Sequence, residues 1–202
     1  MTTAAQQLPL FGDSPVRLDR TDPPIPPVAG HSAATFEDEF SQLYRGEFPR
    51  LFRYLDRALG DDQLASDLVQ EAFTRLLDRG RMPDEPTAWL ITVVNNLVRD
   101  HFRKSARRLR LLSQSGSEIA PGPIASGAEA SVDSAERRGQ VRTALDRLAE
   151  RDRSVLLLRH SGYSYREIAT SLGLTETAVG TILLRASARF RTAFKELHGE
   201  PD

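Results

Sequence analysis

The residues of this 202-residue chain that could do chemistry are amides, hydroxyls and cations. No constellation of nucleophile and base or of metal ligands stands out. The sequence holds no cysteine, which excludes a disulfide framework, a thiolate metal site and a cysteine nucleophile. Its histidines are His31, His101, His160 and His198, and no pair of them has a helical metal-ligand spacing. A Walker-type glycine loop and a G-x-S-x-G elbow are both absent. Asp61 and Asp62 are adjacent acids, but they follow Gly60 in a turn and read as the cap of the next helix. The expectation is therefore no catalytic residue, no metal and no cofactor. Two groups of polar side chains remain. Thr177, Thr181, Arg185 and Arg189 recur every fourth residue. Asn95, Asn96, Arg99, Arg103 and Lys104 form a second group, continued by Arg107, Arg108 and Arg110. Arginine and lysine pair with phosphate, and asparagine can hydrogen-bond a base edge. Basic residues also suit a helix C-terminus for dipole reasons, so the second group has a purely structural reading too.

The first group must be positioned by the stretch Ser164 to Arg191. Ile168, Ala169 and Leu172 lie on one face of a helix from about Tyr165 to Leu172. Gly173 stops that helix, because glycine accepts the left-handed conformation of a helix end. Leu174 plugs the turn, Thr175 is a good N-cap, and Glu176 suits the first turn of the next helix. That second helix buries Val179, Ile182 or Leu183, Ala186 and Phe190 and presents its threonines and arginines. The pattern is a helix-turn-helix whose second helix can lie in the DNA major groove. An ordinary helical hairpin within a bundle is the alternative.

The rest of the chain also reads as helices. Residues 1–35, with the proline-rich run Asp22 to Gly30, are expected to form a disordered tail. Phe36, Phe40, Leu43 and Tyr44 begin an amphipathic run that Phe48, Leu51, Phe52, Leu55 and Leu59 continue. Leu64 to Leu77 buries Ala65, Leu68, Val69, Ala72, Phe73, Leu76 and Leu77. It leaves Asp67, Gln70, Glu71, Thr74 and Arg75 on the opposite face. After a loop with two X-Pro steps, Thr87 opens an apolar helix carrying the asparagine and arginine group on its exposed side. Residues 113–134, rich in Ser, Gly, Ala and Pro, read as a flexible linker. Two more helices precede the helix-turn-helix. The expected fold class is all-α: two small helical domains, 36–112 and 135–198, joined by that linker.

Composition is that of a soluble globular protein, 40% hydrophobic and 27% charged, with a net charge of -1. The charge is unevenly spread. Residues 136–198 hold 12 Arg or Lys against 7 Asp or Glu, and residues 36–104 hold 10 against 13. No apolar run approaches the ~20 residues that span a bilayer, and the N-terminus lacks a secretory pattern. No membrane insertion and a cytoplasmic location are expected.

Together the two halves resemble the extracytoplasmic-function group of bacterial RNA polymerase sigma factors. DLVQEAFTRLL (Asp67 to Leu77) looks like that family's polymerase-binding helix. AWLITVVNNLVRDHFRK (Ala88 to Lys104) looks like its promoter-melting helix, with Trp89, Leu90, Asn96, Asp100 and Arg103 matching the family pattern. LAERDRSVLLLRHSGYSYREIATSLGL (Leu148 to Leu174) follows the second domain closely, with Ala149 where proline is usual. The resemblance implies a non-enzymatic factor that binds core RNA polymerase and directs it to promoter DNA. Asp67, Gln70, Glu71 and Arg75 would dock on polymerase. Asn96, Arg99, Arg103 and Lys104 would capture unstacked bases of the downstream (-10) element. Thr175, Thr177, Thr181 and Arg185 would meet the upstream (-35) duplex, with Arg166 and Arg189 on phosphates. Gly180, Ile182 and Ser187 depart from the family's commonest pattern, where basic residues are frequent. An anti-sigma factor is left open as a further partner. The rival readings are a stand-alone helix-turn-helix regulator and a recombinase-like enzyme with a DNA-binding C-terminus.

Overall fold

The computed structural model describes residues 33–114 and 132–198. The tail 1–32 and most of the linker lie outside the described residues. Among those described, seven helices follow one another without a strand: α1 (Ala33–Leu59), α2 (Asp62–Arg79), α3 (Pro86–Gln114), α4 (Val132–Asp146), α5 (Glu150–His160), α6 (Tyr165–Leu172) and α7 (Glu176–His198). The boundaries differ from the sequence reading at several places. α1 starts three residues earlier, α3 runs two residues into the stretch read as linker, and α4 begins at Val132, before 135.

The first half is a three-helix layer. α2 packs on α1 and α3, and its stripe Ala65, Leu68, Val69, Ala72, Phe73 and Leu76 is buried. Leu77 does not join that stripe: it stays 50% exposed. Phe40 and Tyr44 set their rings edge-on against Phe73 at 5.9 and 4.8 Å between centroids, a favoured geometry for aromatic pairs. Asp61 is the N-cap of α2 and accepts a hydrogen bond from the Leu64 N–H at 2.9 Å. Gly80 closes the helix in the left-handed conformation. Pro49 lies inside α1 without ending it, although proline removes a helical donor. Packing of the turns that follow, at Leu51, Tyr54 and Leu55, overrides the local preference.

In the second half α7 is the central helix, contacted by α4, α5 and α6. Val155, Leu158, Tyr163, Ile168, Val179 and Ala186 are buried between these helices. Fully burying a residue of this kind contributes roughly 1.5–3 kcal/mol.

The two halves also touch. α3 packs on α6, and α1 packs on α5. Arg50 on α1 is the hub of this seam. It donates to Glu47 at 2.6 Å and to the Gly162 carbonyl at 2.8 Å. Its guanidinium carbon lies 4.0 Å from the centre of the Tyr163 ring, and the Glu167 carboxylate is 3.6 Å away. Arg57 donates to the His160 carbonyl, and the buried Thr92 hydroxyl to the Ser171 carbonyl at 3.2 Å. Arg166 pairs with Glu85 at 3.1 Å.

Candidate nucleic-acid and polymerase interfaces

Helix α6 is held in place at both ends. Ser164 is its N-cap, and the capping box is complete. The Ser164 hydroxyl accepts from the Glu167 N–H at 3.2 Å, and the Glu167 carboxylate accepts from the Ser164 N–H at 2.6 Å. Burial pushes the Glu167 carboxyl up, but the hydrogen bonds of Ser164 and the charge of Arg50 outweigh it and hold the group below the usual glutamate value. At the other end Gly173 adopts φ +63°, where a side chain would be strained. The Leu174 N–H reaches back to the Ala169 carbonyl at 2.8 Å. Thr175 then caps α7, its hydroxyl accepting from the Ala178 N–H at 3.2 Å. The helix-turn-helix expected over Ser164 to Arg191 is thus present, with the glycine and the threonine in the roles the sequence assigned them.

Helix α7 brings four of the expected upstream-element residues together. Thr177, Thr181, Arg185 and Arg189 are all exposed on it. A residue the sequence reading did not single out organises the arginines. Asp152 on α5 is 1% exposed. It accepts from Arg185 twice, at 2.6 and 3.2 Å, and from Arg189 at 3.1 Å. This hydrogen-bonded partner raises the Arg185 guanidinium further above its ordinary value. Asp152 engages the inner edge of Arg185, so the outer edge of the fork stays available to a ligand. Arg166 stands apart from this group, at the start of α6 and paired with Glu85 across the seam. No local pattern marks Asp152, because it meets residues 33 and 37 positions away.

The residues expected to meet the downstream element lie on α3. Asn96 and Arg99 are half-buried and bonded to each other at 2.6 Å. Arg103 and Lys104 are exposed, with Asp100 at 3.7 Å from Arg103. Asn95 corrects the sequence reading. It was expected on the exposed side with Asn96, yet it is only 3% exposed and accepts a hydrogen bond from the buried Tyr54 hydroxyl at 2.8 Å. Burial pushes the Tyr54 phenol well above its ordinary value, so it stays protonated and able to donate. Asn95 therefore serves the core.

On α2, Asp67, Gln70, Glu71 and Arg75 are all exposed, opposite the buried stripe. They bond only along their own helix: Gln63 to Asp67 at 2.9 Å, Gln70 to Ser66 at 3.3 Å, and Arg75 to Glu71 at 3.0 Å. The face has no partner role inside the described fold. Among the described residues no cluster of His, Asp or Glu could hold a metal ion, and no helix is long and apolar enough to cross a membrane.

Comparison with known proteins places the chain in a family. Residues 43–108 match the Sigma-70 region 2 model, and residues 138–190 match that of Sigma-70, region 4. The chain is 32% identical over 160 residues to the ECF RNA polymerase sigma factor SigL of Mycobacterium tuberculosis, an alignment covering 77% of this chain and 88% of that protein. It is 32% identical over 157 residues to the ECF RNA polymerase sigma factor BldN of Streptomyces coelicolor, covering 74% of this chain and 58% of BldN. For the probable ECF sigma factor SigI of M. tuberculosis the figures are 34% over 148 residues, 67% and 49%. The chain thus spans about half the length of BldN and SigI. Among solved structures, the sigma factor RpoE of Bartonella quintana, crystallised with the anti-sigma factor NepR, superposes with a TM-score of 0.57 at 24% identity, covering 78% of this chain and 98% of that one. That likeness supports the fold. With its two helical halves matching the two sigma-70 regions in order, and with this identity to SigL along most of both chains, the protein belongs to the ECF RNA polymerase sigma factors.

Proposed function

We propose that this chain is a transcription initiation factor that docks on core RNA polymerase and directs it to specific promoters. The observation that carries this reading is the α2 face of Asp67, Gln70, Glu71 and Arg75, polar and exposed opposite the buried stripe from Ala65 to Leu76. In a stand-alone DNA-binding regulator this face would be a solvated helix surface, as on any amphipathic helix. The division of labour follows from the two halves, 36–112 and 135–198. Asn96, Arg99, Arg103 and Lys104 take the unpaired strand of the downstream element, where flipped bases need polar partners and stacking surfaces. Thr175, Thr177, Thr181 and Arg185 meet the upstream duplex, with Arg166 and Arg189 toward phosphates. The linker lets both halves engage one promoter, so each contact raises the effective concentration of the other. The chain itself performs no catalysis in this reading, and it acts in the cytoplasm alongside polymerase.

Run-off transcription with purified core polymerase on a promoter library tests it. Specific transcripts that appear only when the chain is added are the expected result. No transcript above core alone, together with DNA binding that ignores polymerase, would establish the stand-alone regulator instead.

A further inference from the structure

The first three turns of the outward pole of α7 carry no charge, and Arg191 and Lys195 continue the same face beyond them. Opposite its buried Val179, Ile182 and Ala186, the exposed row is Thr177, Thr181, Leu184 and Ala188, one helical face at i, i+4, i+7 and i+11. Leu184 is 75% exposed, the most exposed of the large apolar side chains in the described fold. Such exposure leaves little of the side chain to serve the core. Thr181 turns its hydroxyl back to the Thr177 carbonyl at 3.2 Å, which leaves its methyl to meet whatever lies outside. Every side chain of the row therefore offers a methyl group. Arg185 and Arg189 flank the row on one side, drawn there by Asp152. Arg191 is exposed as well. A methyl row bordered by arginines matches a DNA major groove, where phosphates run along both rims and thymine alone projects a methyl group.

We propose that Leu184 is a specificity-determining residue that reads the thymine 5-methyl group in the upstream duplex, supported by the methyls of Thr177, Thr181 and Ala188. This rests on the reading of α7 as the duplex-facing helix. The arginines then supply affinity and register, and the methyl row supplies part of the sequence preference.

The test removes only the methyl from the DNA. The full chain, reconstituted with core polymerase, selects upstream duplexes from a randomised pool. Each dT of the selected element is then replaced singly by dU. At one or two positions dU should weaken binding by about fourfold, the effect of one buried methyl-sized group. Leu184→Ala should bind dT and dU duplexes equally at those positions, and about as well as the unaltered chain binds dU. Circular dichroism of Leu184→Ala should match the parent, since the side chain is exposed. Two results would overturn the proposal. One is no dU effect at any thymine. The other is a Leu184→Ala loss of the same size on dT and dU, which places Leu184 against protein. If polymerase does not join the complex, the initiation-factor reading fails. The dT and dU comparison on duplexes selected by the chain alone then still decides the role of Leu184.

Discussion

Asp152 shows how much of the candidate site depends on one side chain. Its carboxylate is buried, and both of its oxygens are occupied by arginines of α7. Asp152→Asn keeps the shape and removes the charge. Arg185 then loses the partner that fixes its rotamer, and upstream duplex affinity should fall about tenfold, as expected when a charge-assisted hydrogen bond is lost. Arg185→Ala should cost roughly 10- to 100-fold in the parent and much less in the Asp152→Asn background, if the two act as a unit. Fluorescence anisotropy on the duplex, run as a double-mutant cycle, measures this. Additive losses would show that Arg185 acts without Asp152. Gly180 makes the opposite case. Its helix position favours alanine by ~1 kcal/mol, and a Cβ built there would lie 3.5 Å from the Tyr165 ring, an ordinary contact. Gly180→Ala should therefore raise the thermal midpoint by an amount equivalent to about 0.5–1 kcal/mol. A lower midpoint would mean that α6 and α7 cannot accommodate the added methyl.

At the scale of the helix, α2 and α6 answer different questions. The α2 face is a surface without structural duty, so Gln70→Ala combined with Glu71→Ala should change stability by no more than about 0.5 kcal/mol. Binding to core polymerase should weaken clearly in a titration, and unchanged affinity would remove the docking assignment. Helix α6 is short, eight residues, and depends on its caps. Ser164→Ala should destabilise the second half by about 1 kcal/mol. Glu167 adds a pH dependence with a definite sign. Its carboxyl is held below the ordinary value of 4.5, so the folded state binds that proton less readily than the unfolded chain. The stability it contributes is complete above that ordinary value and is lost as pH falls through the lowered one. Glu167→Gln should flatten this acid-side decline in a pH series of thermal melts. An unchanged slope would assign the decline to other carboxylates.

At the scale of the molecule, the seam between the halves is the feature with the clearest consequence. Arg50 joins Glu47, Gly162 and the Tyr163 ring, and Glu47 is only 7% exposed. Arg50→Ala removes the main partner of that buried carboxylate, which should destabilise the closed arrangement by about 2–3 kcal/mol. A protease site introduced between 115 and 131 provides the readout. After cleavage, the parent halves should co-elute on size exclusion, and the Arg50→Ala halves should separate. Separation of the parent halves would mean that the seam is too weak to matter in solution.

Local patterns were enough for the helices and for most of their faces, Leu77 and Asn95 being the exceptions. The alternation of apolar and polar residues in Leu64 to Leu77 placed Asp67, Gln70, Glu71 and Arg75 outside, since helical periodicity is a property of neighbouring residues. Gly173 and Thr175 punctuated the helix-turn-helix for the same reason: backbone conformation and capping are settled within a few positions. The capping box at Ser164 and Glu167, which the sequence reading did not single out, is local in the same way. Long-range partners were not. Asn95 and Asn96 are adjacent amides on the same helix, and only Tyr54, 41 residues earlier, makes one of them a core residue. Asp152 looks like any surface acid in its helix until α7 folds over it. The seam at Arg50 joins residues 112 positions apart, across a stretch that reads as a linker. Such pairings depend on how whole helices pack. Helix packing is decided by the summed burial of many side chains, which no single local stretch records.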